Sequence, residues 1–424
     1  MNLSRYACVL LLALFALCAS AGAAERKVDR ATMQHLAALR GGEALRLDAF
    51  PVGPEHSAAL RFERVQIYAK DAPLYVITAG GKQELPRSNR IFLRARSDDG
   101  NTRVAMSLNA DGSFAEGNGV GPDGAFVVDG RADASGAHAF SARTLESTLP
   151  SPDAFEFKCG NESVQLDIRS ISHSADLATQ LRNATSASGT PTASAASTAA
   201  IVAAPQAAQA FRTATIAIDT DSLFMSRLFS NNTTNATNWI ASMFNTMNTM
   251  YETDLNVQLL IGTTILRTSV ANDPYTGLSS GSANGADLNI FGNYWRVNET
   301  AVPRSFAILL SGAIASSGGS CSAAGIAWID EYCQKGFVNG SNTVGSYSVN
   351  KVCSTLSVDP NGIFDARIVG HEIGHNFGAA HTHCTNISTG ASNAATNTID
   401  QCYNGESGTG CYAGPTTCPT VGGY

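Results

Sequence analysis

Residues 371–381 read His371-Glu372-Ile373-Gly374-His375-Asn376-Phe377-Gly378-Ala379-Ala380-His381. The first two histidines stand four apart, about one turn of helix, and therefore share a face. Two neutral imidazoles on one helical face form half of a zinc site. Gly378 has no Cβ to clash at positive φ, so it can end the helix and turn the chain back. His381 then supplies a third ligand. Three protein ligands leave a fourth position for water, the arrangement of a catalytic rather than a structural zinc site. Glu372 follows the first ligand directly and can take a proton from that water. The chain holds 8 His and 39 Gly in 424 residues. Five such matches by chance come to roughly 1 in 100,000 for a chain of this composition. Coincidence, or a helix with ordinary core histidines, is the weaker reading, and Zn2+ is the expected cofactor.

The surrounding residues must hold this constellation in place. Asp365 is a candidate N-cap, and Ile368, Val369, Ile373 and Phe377 supply apolar positions at helical spacing. Upstream, 213–219, 257–261 and 305–310 read as strands. Between the first two, Trp239, Ile240, Met243, Phe244, Met247, Met250 and Tyr251 form one apolar helical face, read as core packing rather than a ligand surface. The order strand, helix, strand, strand, zinc helix describes a domain over 211–424.

The run Gly370-His371-Glu372-Ile373-Gly374-His375-Asn376-Phe377-Gly378-Ala379-Ala380-His381 resembles the metzincin metallopeptidases, and within them the adamalysin/reprolysin-like group. The resemblance covers about 211–424. It implies an α+β catalytic domain, an α/β-type twisted mixed sheet with an active-site helix. It also implies a secreted precursor and endopeptidase activity on protein or peptide substrates. His371, His375 and His381 become the Zn2+ ligands and Glu372 the base. That group usually has Asp after the third ligand, where this chain has Thr382-His383, so His383 is a competing ligand. Metzincins also carry a methionine turn beyond the third histidine. No Met follows Met250 here, so the chain is expected to be truncated before that turn. The resemblance places a substrate-binding edge strand at Gly325-Ile326-Ala327-Trp328, where a peptide would add through main-chain hydrogen bonds. The residues alone fit a buried strand with a core Trp equally well.

Arg5, the apolar stretch 7–17 and the small residues 18–24 form a signal peptide. Cys18 as a lipidation site is the weaker alternative, because Leu17 precedes it. The product is expected to be secreted, either extracellular or periplasmic. No apolar run is long enough for a transmembrane anchor. Net charge is −7, with no basic cluster, which argues against nucleic acid as a partner. Cys321, Cys333, Cys353, Cys384, Cys402, Cys411 and Cys418 crowd the catalytic half. They read as disulfides, since no C-x-x-C pair suggests a second metal site.

Residues 25–172 alternate like strands and carry the turn signals Asp98-Asp99-Gly100-Asn101 and Asp111-Gly112, which predicts a small all-β domain. Ahead of a secreted peptidase it reads as a propeptide inhibiting in cis, with a retained binding module as the alternative. Residues 173–210 are rich in Ala, Ser and Thr and lack aromatics, so they are expected to form a flexible, cleavable linker. Cys159, in Lys158-Cys159-Gly160, stands alone in the N-terminal half. It is a tentative cysteine switch, its thiolate displacing the catalytic water of a zymogen. A disulfide or an inert thiol are the alternatives. For the whole chain, two other readings stand beside a secreted zinc endopeptidase. One is a truncated, catalytically impaired secreted binding or decoy protein. The other is a zinc enzyme acting on a different amide or ester.

Overall fold

The computed structural model describes residues 26–145, 147, 157–159, 211–314, 323–352, 362–384, 398, 401, 404–405 and 411–416. The expected signal peptide (1–24), the expected linker (173–210), and Cys321, Cys353, Cys402 and Cys418 lie outside the described residues.

The N-terminal half begins with β1 (Arg26–Val28), α1 (Arg30–Ala38), β2 (Ala44–Pro51), β3 (Ser57–Arg64), β4 (Leu74–Thr78) and β5 (Gly81–Leu85). It continues through β6 (Ile91–Ser97), β7 (Arg103–Leu108), β8 (Phe114–Gly121), β9 (Gly124–Ala132), β10 (His138–Thr144) and β11 (Phe157–Cys159). Eight of these strands make one antiparallel sheet in the order β1-β10-β9-β8-β7-β6-β3-β2. One buried cluster contains Phe50, Phe62, Leu93, Met106 and Phe140, and α1 adds Met33 and Leu36 to it. The Asp29 side chain caps α1, accepting from Thr32 N at 2.9 Å. Among the described residues, the expected all-β region therefore carries one helix.

The C-terminal half contains β12 (Arg212–Thr220), α2 (Thr233–Asp254), β13 (Val257–Arg267), α3 (Gly285–Asn298) and β14 (Phe306–Ser311). Then come β15 (Ala323–Ala327), the small hairpin β16 (Phe337–Asn339) and β17 (Asn342–Val344), β18 (Tyr347–Lys351) and α4 (Ile363–Asn376). Strands β13, β12, β14 and β18 are parallel, and β15 joins β18 antiparallel, giving the expected mixed sheet. β14 is buried along its whole length, as parallel strands covered on both faces must be. Its Phe306, Ile308 and Leu310 meet α2 and α4, whereas Ala307 and Leu309 meet Leu288, Phe291 and Trp295 of α3. The sheet is thus sandwiched between helices.

The apolar stripe of α2 behaves as read from sequence, with one correction. Trp239, Ile240, Met243, Phe244, Met247 and Tyr251 are buried, but Met250 is 39% exposed. It lies at the margin of the stripe, where the helix turns toward solvent.

The two sheets do not follow the two halves of the chain. The hairpin β4–β5 leaves the N-terminal sheet and pairs parallel with β13. At the opposite edge, β11 pairs parallel with β15. Both outer edges of the five C-terminal strands are covered by the N-terminal half.

Candidate metal centre

The helix that carries the histidines, α4, starts earlier than its acidic residue suggested. Its N-cap is Gly362, at φ +67°, and Asp365 lies buried within the first turn. Asp365 is therefore not the cap, although a carboxylate in the first turn still faces the positive end of the helix dipole. Ala366, Val369 and Ile373 anchor α4 against α2. The Tyr251 hydroxyl donates to the Gly370 carbonyl at 2.5 Å. Burial first, and the charge of Glu372 second, push the Tyr251 phenol above its ordinary range.

The end of α4 turns the chain through Gly378, at φ +99°. Gly378 N donates to His375 O at 2.8 Å and Ala379 N to Gly374 O at 3.0 Å. This paired closure ends the helix and uses its orphan carbonyls. It also reverses the chain, so that His381 returns over His375.

The three imidazoles converge on one point. His371 Nε2 and His375 Nε2 each lie 3.2 Å from His381 Nε2. Neutral imidazole has a single N–H, so three mutually close ring nitrogens are better accounted for by a shared cation than by hydrogen bonds among themselves. Tetrahedral coordination with Zn–N bonds near 2.0–2.1 Å places ligand nitrogens about 3.3 Å apart, and the observed spacing fits it. His375 Nδ1 lies 2.7 Å from the Ala379 carbonyl. As a donor there it leaves the Nε2 lone pair free for metal, the usual role of the outer hydrogen bond. His383 is buried and stacked on His381, with ring centroids 5.1 Å apart, but lies outside the convergent group. Among the described residues, the one potential metal-holding cluster is His371, His375 and His381.

Glu372 is fully buried beside these histidines. It is packed against Gly325 of β15, where an added Cβ would fall 2.3 Å from Glu372 Cγ and Oε1. The side chains of Ile326 and Trp328 lie in the α3-side core with Leu309 and Val349. The expected substrate-binding segment Gly325-Ile326-Ala327-Trp328 thus places its apolar side chains in the core, and its outer main-chain edge is occupied by β11. Asn376 Nδ2 donates to the carbonyls of Trp328 and Tyr347, at 2.8 and 3.1 Å, and Asp330 N donates to His375 O at 3.0 Å. These bonds fix the C-terminal end of α4 to the β15–β18 edge. Sequence reasoning did not identify Asn376, because one Asn inside a metal motif carries no separate signal.

On the outer side of β15 the register is Phe157↔Ala323, Lys158↔Ala324 and Cys159↔Gly325. The backbone of Cys159 therefore lies beside the glycine that touches Glu372. Beyond His381, a disulfide joins Cys384 to Cys411, and Tyr412 N donates to His383 O at 2.8 Å. Cys333 is an exposed free thiol.

The family model described as metallo-peptidase family M12 matches residues 210–424, which contain all three converging histidines and Glu372. None of the curated proteins compared with the chain matches it.

Proposed function

Since the chain belongs to metallo-peptidase family M12, we propose that it is a secreted zinc-dependent endopeptidase with Glu372 as general base. The observation that carries this reading is the convergence of the His371, His375 and His381 Nε2 atoms beside a buried carboxylate. Bound there, Zn2+ would supply an acidified water and a positive charge for the carbonyl oxygen of the scissile bond. Glu372 takes the proton of the attacking water and later delivers it to the departing amine. Asp would fall short of that reach, and Gln or Asn would lack the basicity. The peptide substrate is held along the main-chain edge of β15, as an added strand. Gly325 brings that edge against Glu372, so a bound backbone passes close to the base.

The same edge supports inhibition in cis. β11 occupies it, with Cys159 level with Gly325. A segment in that position excludes an added substrate strand, and a thiolate reaching the metal would silence the water. Cleavage within 173–210 then begins the conversion of zymogen to mature enzyme, and the N-terminal signal directs export. A non-catalytic binding or decoy role is the competing reading. The complete set of three ligands and a base favours the enzyme.

Zinc content and casein hydrolysis, measured on the purified protein before and after digestion of the N-terminal half, test the proposal. Bound zinc with hydrolysis appearing on digestion is the expected result. A zinc-free protein that never cuts casein would leave the decoy reading standing.

A further inference from the structure

The contact between the two halves extends well beyond β11. Along the far edge, Ile261 N donates to Ile67 O at 2.7 Å and Ala69 N to Ile261 O at 2.8 Å. Thr264 N reaches Pro73 O and Thr268 N reaches Ile77 O, each at 3.0 Å. Ile67, Leu74, Val76 and Phe92 belong to the same buried cluster as Ile240, Phe244, Leu259 and Leu266. This core is shared between the halves. Without the N-terminal half, β13 would present an unpaired edge and part of that core would face water.

The second layer of contact is polar and runs along α2. Asn245 Nδ2 lies 3.4 Å from Leu93 O and 3.2 Å from Met106 O, bridging two strands of the N-terminal sheet. Asn118 donates to Thr246 at 2.9 Å, and Ser88 to Asn238 at 2.6 Å. Arg94 forms an ion pair with Glu252, the two side chains 7% and 2% exposed. Removing one partner of such a pair strands a buried charge, which strongly opposes separation.

We propose that the N-terminal half is a docked subunit of this protein, held by β13 and α2, and that it stays bound non-covalently after the linker is cut. The partner of this surface is the chain's own segment 26–145. These contacts hold the two halves together whether or not the protein is a peptidase. It does alter regulation. Cutting within 173–210 alone would not free the β15 edge, and activation would require a second step that destroys or displaces the docked half.

The test uses the full chain carrying Glu372→Ala, which prevents self-digestion, with a site-specific protease sequence inserted between 173 and 210. After complete cutting, native size-exclusion chromatography at micromolar concentration is expected to show both pieces in one peak at the position of the uncut chain. They should separate only in denaturant. Separation in ordinary buffer would overturn the proposal. In the same background, Asn245→Ala removes two bonds across the interface and is expected to speed dissociation about tenfold, whereas Met250→Ala, exposed on the same helix, leaves it unchanged. An unaltered dissociation rate for Asn245→Ala would contradict the assignment of α2 as a docking helix. Because the readout is association, failure here is distinguishable from failure of the peptidase reading.

Discussion

A Cβ on Gly325 would lie 2.3 Å from both Cγ and Oε1 of Glu372. That distance is far inside van der Waals contact, so any side chain at 325 must displace either the base or the strand. Gly325→Ala is therefore expected to lower kcat by about 100-fold, the scale of effect that an ångström of misplacement produces. Zinc content should not change, since the ligands lie on α4 and beyond. Metal analysis beside steady-state kinetics checks this. Normal kcat in the variant would show that Gly325 does not set the position of Glu372.

The position of His381 depends on a different glycine. Gly378 has φ +99°, and a Cβ there would meet Asp330 Oδ1 at 3.1 Å. Gly378→Val combines backbone strain of about 1–3 kcal/mol with this crowding. The expected outcome is at least tenfold weaker zinc retention in chelator competition, with loss of activity in parallel. Unchanged zinc affinity would mean that the turn is not what delivers the third ligand.

Cys159 is level with Gly325 across the β11–β15 pair. A Cys159→Ser precursor is expected to hydrolyse a dipeptide-sized substrate, too short to need the β15 edge, before any linker cleavage. The wild-type thiol is expected to resist alkylation until zinc is chelated. Rapid alkylation with zinc in place, together with a latent Cys159→Ser precursor, would rule out the switch.

His138 gives the N-terminal sheet a pH dependence. It is buried and stacked on Phe140, and burial holds its imidazole below the ordinary value of 6.5. Burial in the folded chain disfavours the charged ring, whereas the unfolded chain takes up a proton below about pH 6.5. Stability is therefore lost as pH falls from 6.5 toward the folded value. Glu116 opposes this in part, because burial raises its carboxyl. Denaturant melts of the wild type and His138→Phe at pH 7.5 and 5.5 isolate the histidine. The variant should lose less stability on acidification, and equal losses would remove His138 as the cause.

The parts legible in sequence were those with local periodicity. The spacing of His371, Glu372, His375, Gly378 and His381 defined the centre, and Gly378 took the backbone conformation that the motif required. The α2 stripe and strands β12, β13 and β14 followed from apolar patterns. Pairing between distant segments left no local trace. Leu74-Tyr75-Val76-Ile77 reads as a strand, but nothing in those residues indicates that their partner is Thr264–Arg267 rather than a neighbour. Helix α3 and strand β18 were also missed. Polar residues such as Asn289 and Asn293 dilute the apolar face of α3, while Ser348, Asn350 and Lys351 of β18 are buried polar groups that pattern reading assigns to the surface. The Asp365 cap failed for a simpler reason. Gly362 sits at positive φ and starts the helix three residues earlier.

The division of labour between ligands and base is tested most directly by Glu372→Ala beside His375→Ala, both measured for bound zinc and for peptide hydrolysis after digestion of the N-terminal half. About one Zn2+ per chain is expected in Glu372→Ala, with hydrolysis reduced by about 100–10,000-fold, the range that general-base catalysis supplies. His375→Ala is expected to lose metal and activity together. Near-normal hydrolysis in Glu372→Ala, or near-normal zinc affinity in His375→Ala, would contradict these roles.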